Sequence, residues 1–300
     1  MDALKAILVV CGILWSCGGD QLGCAEAAET LAKVNSELIT SKDLEQLVLL
    51  SGDNLQAESR SQLLTRAIEN CLIRQFLESR GVAAPVELVD RQMGLVEKIL
   101  AQEGDAEATL NRLNVTRKDL RAQVSLPLAW SRYVRQVVTA DQLREYYESH
   151  QKELDGTRRE ASQIFMKLPA GSSDEQVRQV QEKLSQIRQE VLSGTLSFAE
   201  AAKKYSESPT AARGGELGEF TFTGQMPAEI TRMTFSTSVG ELSQPFQSPY
   251  GMHLVQVTKE TPGQLSLEDA RPQIWKHFED QLWSQTVSRL QSSGQIQRFD

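Results

Sequence analysis

The sequence predicts an α+β chain: a mainly helical domain, discontinuous in sequence, with an α+β block inserted into it. Three observations carry this expectation. Between residues 57 and 80, Leu63, Leu64, Ala67, Ile68, Cys71, Leu72 and Phe76 recur at helical spacing. Composition shifts at Asp155-Gly156, and beyond it strand-like runs at 158–168 and His253–Thr258 alternate with helical segments. Last, a long helical segment from Leu267 to Leu290 and an alternating end, Gln295–Phe299, present apolar faces that need a partner. They are expected to pack back on the N-terminal helices.

Taken in order, two short β-like runs in Leu31–Thr40 flank Asn35-Ser36 and read as a hairpin. Ser41 begins a helix carrying Leu44, Leu47 and Val48. Gly81 ends the helix over 57–80 as a natural C′ residue. Pro85 precedes a helix from Val86 to Gln102. Thr116-Arg-Lys-Asp119 resembles a capping box opening a helix to about Val137, which Pro127 is expected to kink or interrupt. Thr139 caps one more. In the inserted block, helices are expected at 173–192, 198–205 and near 227–234, with short strands at 217–222 and 242–247. This divides the chain into a signal segment 1–25, a helical domain 26–155, an α+β domain 158–260, and a returning helix and strand 264–300.

The chain has 300 residues, 24% charged and 40% hydrophobic, with 32 basic and 40 acidic residues and a net charge of −8. With no polybasic run, this balance argues against nucleic acid or an anionic membrane as partner. Aromatics are only 6%, too few for a dense aromatic platform. The apolar run Ala6–Ser16 is too short to span a bilayer and suits a signal-peptide core, with cleavage after Ala25. The protein is therefore expected to be exported, to a periplasm or cell envelope. Leu14-Trp15-Ser16-Cys17 has lipobox positions, but Trp15 is too bulky for one. A membrane anchor is expected only if Cys17 is lipidated.

Cys11, Cys17 and Cys24 lie in or beside the signal, so the mature chain keeps Cys71 alone, and no disulfide or zinc site follows. His150, His253 and His277 are far apart in sequence, which argues against a metal cluster. There is no Walker loop, and no cofactor is expected.

The informative stretch runs Phe198-Ala-Glu-Ala-Ala-Lys-Lys-Tyr-Ser-Glu-Ser208, then Arg213-Gly-Gly-Glu-Leu-Gly-Glu-Phe220. Gly224-Gln-Met226, Phe235, Val239–Pro245 and Tyr250-Gly-Met-His253 follow. The glycines permit tight turns, and Leu217, Met226, Ile230 and Phe235 can line an apolar cup. Ordinary core packing accounts for each of these residues taken singly.

In order and spacing, together they resemble the parvulin (PpiC-type) peptidyl-prolyl isomerase domain over about 160–258. The N-terminal part resembles the SurA/PpiD/PrsA family of exported chaperones. That likeness rests on Val34–Thr40, Arg80-Gly81-Val82, Val115–Leu120 and Val138–Tyr147, and the helix 267–290 matches that family's return helix. The resemblance implies a small, mostly antiparallel sheet flanked by helices. It also implies a proline pocket at Leu217, Met226 and Ile230, with Phe235 packed nearby. Ile230 stands where an aromatic is common, which suggests a shallower pocket.

The chain departs from the family pattern on the first strand. Ala161-Ser-Gln-Ile-Phe165 puts Gln163 where the family's A-x-H-I-L pattern has a histidine. Ser208 stands near the family's Cys or Asp, across a one-residue gap, and His253 matches the second histidine. Gln163 can donate and accept hydrogen bonds but cannot titrate. Rotation about an X–Pro bond crosses a barrier of about 18–20 kcal/mol set by amide resonance and needs no proton transfer. Loss of a titrating group therefore need not abolish it.

Two functions follow from the resemblance. One is an exported isomerase and folding chaperone acting on X–Pro bonds of secreted or envelope proteins, with unfolded or nascent chains as partners. The alternative is a non-catalytic chaperone whose parvulin-like domain only binds unfolded polypeptide. Met93, Leu95, Ile99 and Leu100 are candidates for an apolar client-binding wall, or equally for helix core.

Overall fold

The computed structural model describes residues 28–51, 59–102, 106–112, 115–169, 171–224 and 226–299. The signal segment, its cysteines and the cleavage position after Ala25 lie outside the described residues. The chain forms two compact units, Met1–Thr139 with Lys276–Asp300, and Ala140–Trp275. The α+β class expected from sequence holds, with antiparallel sheets in both units.

In the first unit, β1 (Thr30–Val34) and β2 (Glu37–Thr40) form an antiparallel hairpin. Asn35 turns it with φ 56°, a left-handed conformation that asparagine tolerates. The C-terminal strand β7 (Ile296–Arg298) pairs with the free side of β1, giving the order β2-β1-β7. Asn35 N–H donates to the Gln295 carbonyl at 2.8 Å, and Phe299 N–H to the Leu31 carbonyl at 2.9 Å. Leu31, Ala32, Val34 and Ile39 pack with Leu44 of α1 (Ser41–Ser51) and with Leu64, Ile68, Cys71 and Leu72 of α2 (Arg60–Ser79). Burying each large aliphatic side chain contributes about 1.5–3 kcal/mol.

Ser59 and Gln62 form a reciprocal capping box at the start of α2. At its end Gly81 takes φ 65°, and Val82 N–H reaches back to the Leu77 carbonyl at 2.9 Å, a Schellman closure. Helices α3 (Val86–Gln102), α4 (Ala106–Arg112) and α5 (Arg117–Val137) share a second core. Met93 and Leu100 are buried in that core, so neither offers an exposed wall.

Helix α5 runs through Pro127 without interruption, which leaves a kink as the alternative that the sequence offered. Tertiary anchors on its following turn offset the lost N–H. Trp130 donates Nε1–H to the Glu279 carbonyl at 3.1 Å and meets Trp283 edge-on at 5.3 Å. Both partners lie on the last helix, α11 (Leu267–Ser293).

The second unit begins with α6 (Ala140–Ser149) and α7 (Gln151–Leu154). Its sheet comprises β3 (Arg158–Lys167), β4 (Glu216–Thr221), β5 (Phe246–Ser248) and β6 (Gly251–Thr261), in the antiparallel order β4-β3-β6-β5. Ile164, Met166, Met252 and Leu254 share one core with Leu184 and Ile187 of α8 (Asp174–Leu192) and with Phe198, Ala201 and Ala202 of α9 (Phe198–Tyr205). Side chains alternate along a strand. Ala161, Gln163 and Phe165 of β3, and His253, Val255 and Val257 of β6, therefore belong to the other face.

The strand expected over 242–247 is shorter. Leu242 makes a single bridge to Gln256, and pairing resumes at β5. Between them Pro245 has no N–H to donate, and the Ser243 hydroxyl accepts from Val255 N–H at 3.0 Å in place of a backbone carbonyl. The two ends of the block are tied to each other: Leu265 N–H donates to the Asp155 carbonyl at 2.8 Å, and Gly263 N–H to Thr157 Oγ1 at 3.0 Å.

Candidate active site

The odd-numbered face of β3 and β6 carries the site. Gln163 lies opposite Val255, and Phe165 opposite His253. Strand β4 leaves β3 at a register shift between Ala161 and Ser162, next to Gly215. Gly215 has φ 82°, and a Cβ there would stand 2.1 Å from the Gln163 carbonyl oxygen. Gln163 N–H donates to the Gly215 carbonyl at 2.8 Å. Only glycine allows this approach.

Beyond that point the segment after α9 takes over as the neighbour of β3. Glu207 N–H donates to the Phe165 carbonyl at 2.7 Å, and Phe165 N–H to Ser206 Oγ at 3.0 Å. This brings Ser208 beside Gln163.

The three polar residues singled out from sequence form one continuous chain of hydrogen bonds. Ser208 Oγ is 3.3 Å from Gln163 Nε2, and Gln163 Oε1 is 3.1 Å from His253 Nδ1. Two members of the chain were missed. Ser248 Oγ lies 2.7 Å from His253 Nε2, and Thr210 Oγ1 lies 3.0 Å from Ser208 Oγ. His253 is 3% exposed and Ser208 7%, whereas Gln163 is half-buried. Burial pushes the His253 pKa down to about 4, and the Glu229 charge opposes that more weakly. The imidazole is therefore neutral at pH 7.

Phe165 and Phe246 flank the imidazole from the neighbouring strands, with ring centroids at 4.8 and 5.3 Å. Neither phenylalanine was singled out from sequence. Their strand alternation with Gln163 and their position before the Ser248–His253 hairpin were the available signals.

The apolar residues gather beside this chain. Leu217, Met226 and Phe235, with Phe246, are partly buried against Ala161, Phe220, Val255 and Val257. Ile230 is buried, 4% exposed, on α10 (Ala228–Ser236), which packs against β6.

Phe235 is held edge-on to Phe222 at 5.2 Å and lies 5.2 Å from the Arg159 guanidinium carbon. Arg159 is itself buried. It donates to the Thr237 and Thr234 carbonyls at the end of α10, the former at 2.6 Å, and pairs with Glu260 at 2.6 Å. Nothing in the sequence pattern distinguished Arg159 from other strand arginines. A half-exposed apolar cup bordered by one amide, above a buried polar chain, can hold a small apolar ring and hydrogen-bond an adjoining peptide group.

Among the described residues no group of His, Cys, Asp or Glu could hold a metal ion. Among them, too, no helix is long and apolar enough to cross a membrane. Cys71 is buried in the first unit, and burial raises its pKa to about 11.

Residues 164–259, which hold the cup and most of this sheet, match the family model "Rotamase: PPIC-type PPIASE domain". Beyond this segment, the chain is similar over most of its length to proteins named chaperone SurA and foldase protein PrsA. It is 38% identical over 144 residues to chaperone SurA of Bordetella avium, covering 47% of this chain and 28% of that protein. It is 25% identical over 265 residues to foldase protein PrsA of Caldanaerobacter subterraneus, covering 84% of this chain and 80% of that one. Among solved structures, a PrsA from Bacillus cereus is 22% identical with a TM-score of 0.46, covering 92% of this chain and 95% of that one. The chain spans 28% and 53% of the length of two of its SurA relatives.

Proposed function

We propose that this protein is a peptidyl-prolyl cis-trans isomerase and folding chaperone that acts on X–Pro bonds of unfolded or nascent exported polypeptides. The observation that carries the reading is the half-exposed cup of Leu217, Met226, Phe235 and Phe246 beside the Gln163 amide. The cup takes the proline ring, with Ile230 as its buried backing. Gln163 is the catalytic residue, because it is the polar group with surface left to meet the peptide. It hydrogen-bonds the amide as resonance is lost in the twisted state, which lowers the barrier selectively. His253 and Ser208 are positioning residues: both are buried and reach the substrate only through Gln163. The signal-like N-terminus and the SurA and PrsA relatives support action in the periplasm or cell envelope.

A second reading has a specific observation behind it. With an amide in place of one imidazole and the other imidazole enclosed, the domain can bind proline segments without turning them over. Relaxation of cis X–Pro peptides, with X varied and protein concentration stepped, separates the two. Acceleration proportional to protein and lost in Met226→Ala supports the isomerase. Folded protein that accelerates no peptide, yet slows aggregation of an unfolded chain, leaves the binding chaperone.

A further inference from the structure

We propose that Gln163 gives the buried polar chain a single direction and so keeps His253 in its neutral Nδ1–H tautomer, holding the site in one arrangement wherever the fold is intact. The inference rests on the isomerase site proposed above but concerns what orders that site, and its test does not need turnover.

An amide accepts only at Oε1 and donates only at Nε2, so its two ends cannot exchange roles. With Oε1 toward His253 and Nε2 toward Ser208, the imidazole donates from Nδ1 at 3.1 Å. Its bare Nε2 then accepts the Ser248 hydroxyl at 2.7 Å, and Ser248 Oγ accepts Tyr250 N–H at 3.1 Å. The Ser248 hydroxyl then both donates and accepts at good length. The reversed amide gives His253 an Nε2–H that donates to Ser248 Oγ, which already takes Tyr250 N–H. The Ser248 proton is then left with the Gly251 carbonyl at 3.5 Å, the outer limit of a hydrogen bond. Ser248 is only 6% exposed, so leaving its proton with so long a contact is costly. At the far end Ser208 Oγ accepts from Gln163 and from Thr210 N–H, leaving its own proton for Thr210 Oγ1.

An imidazolium is disfavoured by the same surroundings. β3 faces it with Gln163 and the Phe165 ring, and β5 with Phe246 and Ser248, none of them charged. In the 206–210 segment the Glu207 carboxylate accepts Lys167 N–H at 2.7 Å, and on α10 Glu229 acts on the imidazole through its charge alone. The depressed pKa of His253 agrees with this geometry.

The test is two-bond nitrogen–proton correlation on full-length protein labelled at the histidine nitrogens, from pH 5 to 8. The expected spectrum places His253 in the Nδ1–H form throughout, with no protonation step. In Gln163→Glu a carboxylate faces Nδ1, and the protonation midpoint rises by about one unit or more. An Nε2–H spectrum, or a wild-type His253 that protonates within this range, overturns the proposal. So does a folded Gln163→Glu protein whose midpoint stays put. If that variant does not fold, the wild-type spectrum still decides. Failure of the isomerase reading appears separately, as absent turnover beside the expected spectrum.

Discussion

Phe246 is the cross-strand partner of His253, and its ring stacks on the imidazole at 5.3 Å with an interplanar angle of 21°. The same ring packs into the apolar cup beside Leu217, Met226 and Phe235. One side chain therefore joins the buried polar chain to the apolar cup. Phe246→Ala is expected to cost about 2 kcal/mol of stability, less than a fully buried phenylalanine because the ring is half-exposed. Isomerase kcat/KM is expected to fall about tenfold, as roughly 1.4 kcal/mol of barrier returns. Denaturant unfolding and peptide relaxation on one preparation measure both. A variant that loses stability with undiminished turnover would remove Phe246 from the site.

Arg159 makes a second prediction. Its guanidinium is buried, holds the end of α10 through the Thr234 and Thr237 carbonyls, pairs with Glu260 and underlies Phe235. Arg159→Met strands the two carbonyls and leaves Glu260 to Lys152, whose ammonium is 2.8 Å away. The expected loss is about 3 kcal/mol. Arg159→Lys should recover little of it, because one ammonium cannot span three acceptors in a planar fork. Hydrogen exchange at the amides of β3 and α10 is the measurement. Wild-type protection in Arg159→Lys would show that the fork geometry is unimportant.

Much of this was legible because local chemistry and tertiary context agree. Asn35 turns a hairpin, Gly81 stops a helix, and Thr116 with Asp119 caps α5, each where the sequence signal lay. Three members of the hydrogen-bonded chain, Gln163, Ser208 and His253, were legible because a family likeness ordered them along the sequence. Ser248 and Thr210 were not, because a serine or threonine in a turn has no pattern until its partner is placed. Pro127 does not interrupt its helix because a local rule against proline in helices competes with Trp130 anchored three residues on, a contact 149 residues away in sequence. Arg159 was hidden for the same reason: its partners lie 75 to 101 residues along the chain.

A pair of glycines with similar backbone angles separates crowding from strain. Gly215 and Gly194 have φ of 82° and 75°. A Cβ at Gly194 meets nothing within 4 Å, whereas at Gly215 it falls 2.1 Å from the Gln163 carbonyl oxygen. Gly194→Ala should therefore cost only the left-handed penalty, about 1–2 kcal/mol. Gly215→Ala should in addition push β3 off the loop, costing well over about 3 kcal/mol and displacing Gln163 from His253. Unfolding curves for the two variants test the contrast. Equal losses would show that the loop yields freely, and that the close approach at Gln163 is not required.

The enclosed imidazole also sets a pH dependence of stability. Burial holds His253 near pKa 4 in the folded chain, against 6.5 for the free side chain. Between these values the unfolded chain binds a proton that the folded site refuses. The stabilisation is therefore complete above about pH 6.5 and drains away as pH falls toward 4, by up to about 1.4 kcal/mol per unit. Glu260, held below its usual range chiefly by its hydrogen bond from Lys152, contributes a loss that begins only at lower pH, below its unfolded pKa of 4.5. Denaturant midpoints of wild type and His253→Asn, measured at pH 7, 6, 5.5 and 5, isolate the histidine. Wild type should lose stability across this series while the variant, less stable at pH 7, stays nearly level. Parallel curves would mean that His253 titrates alike in the folded and unfolded chain, and that its burial imposes no charge penalty.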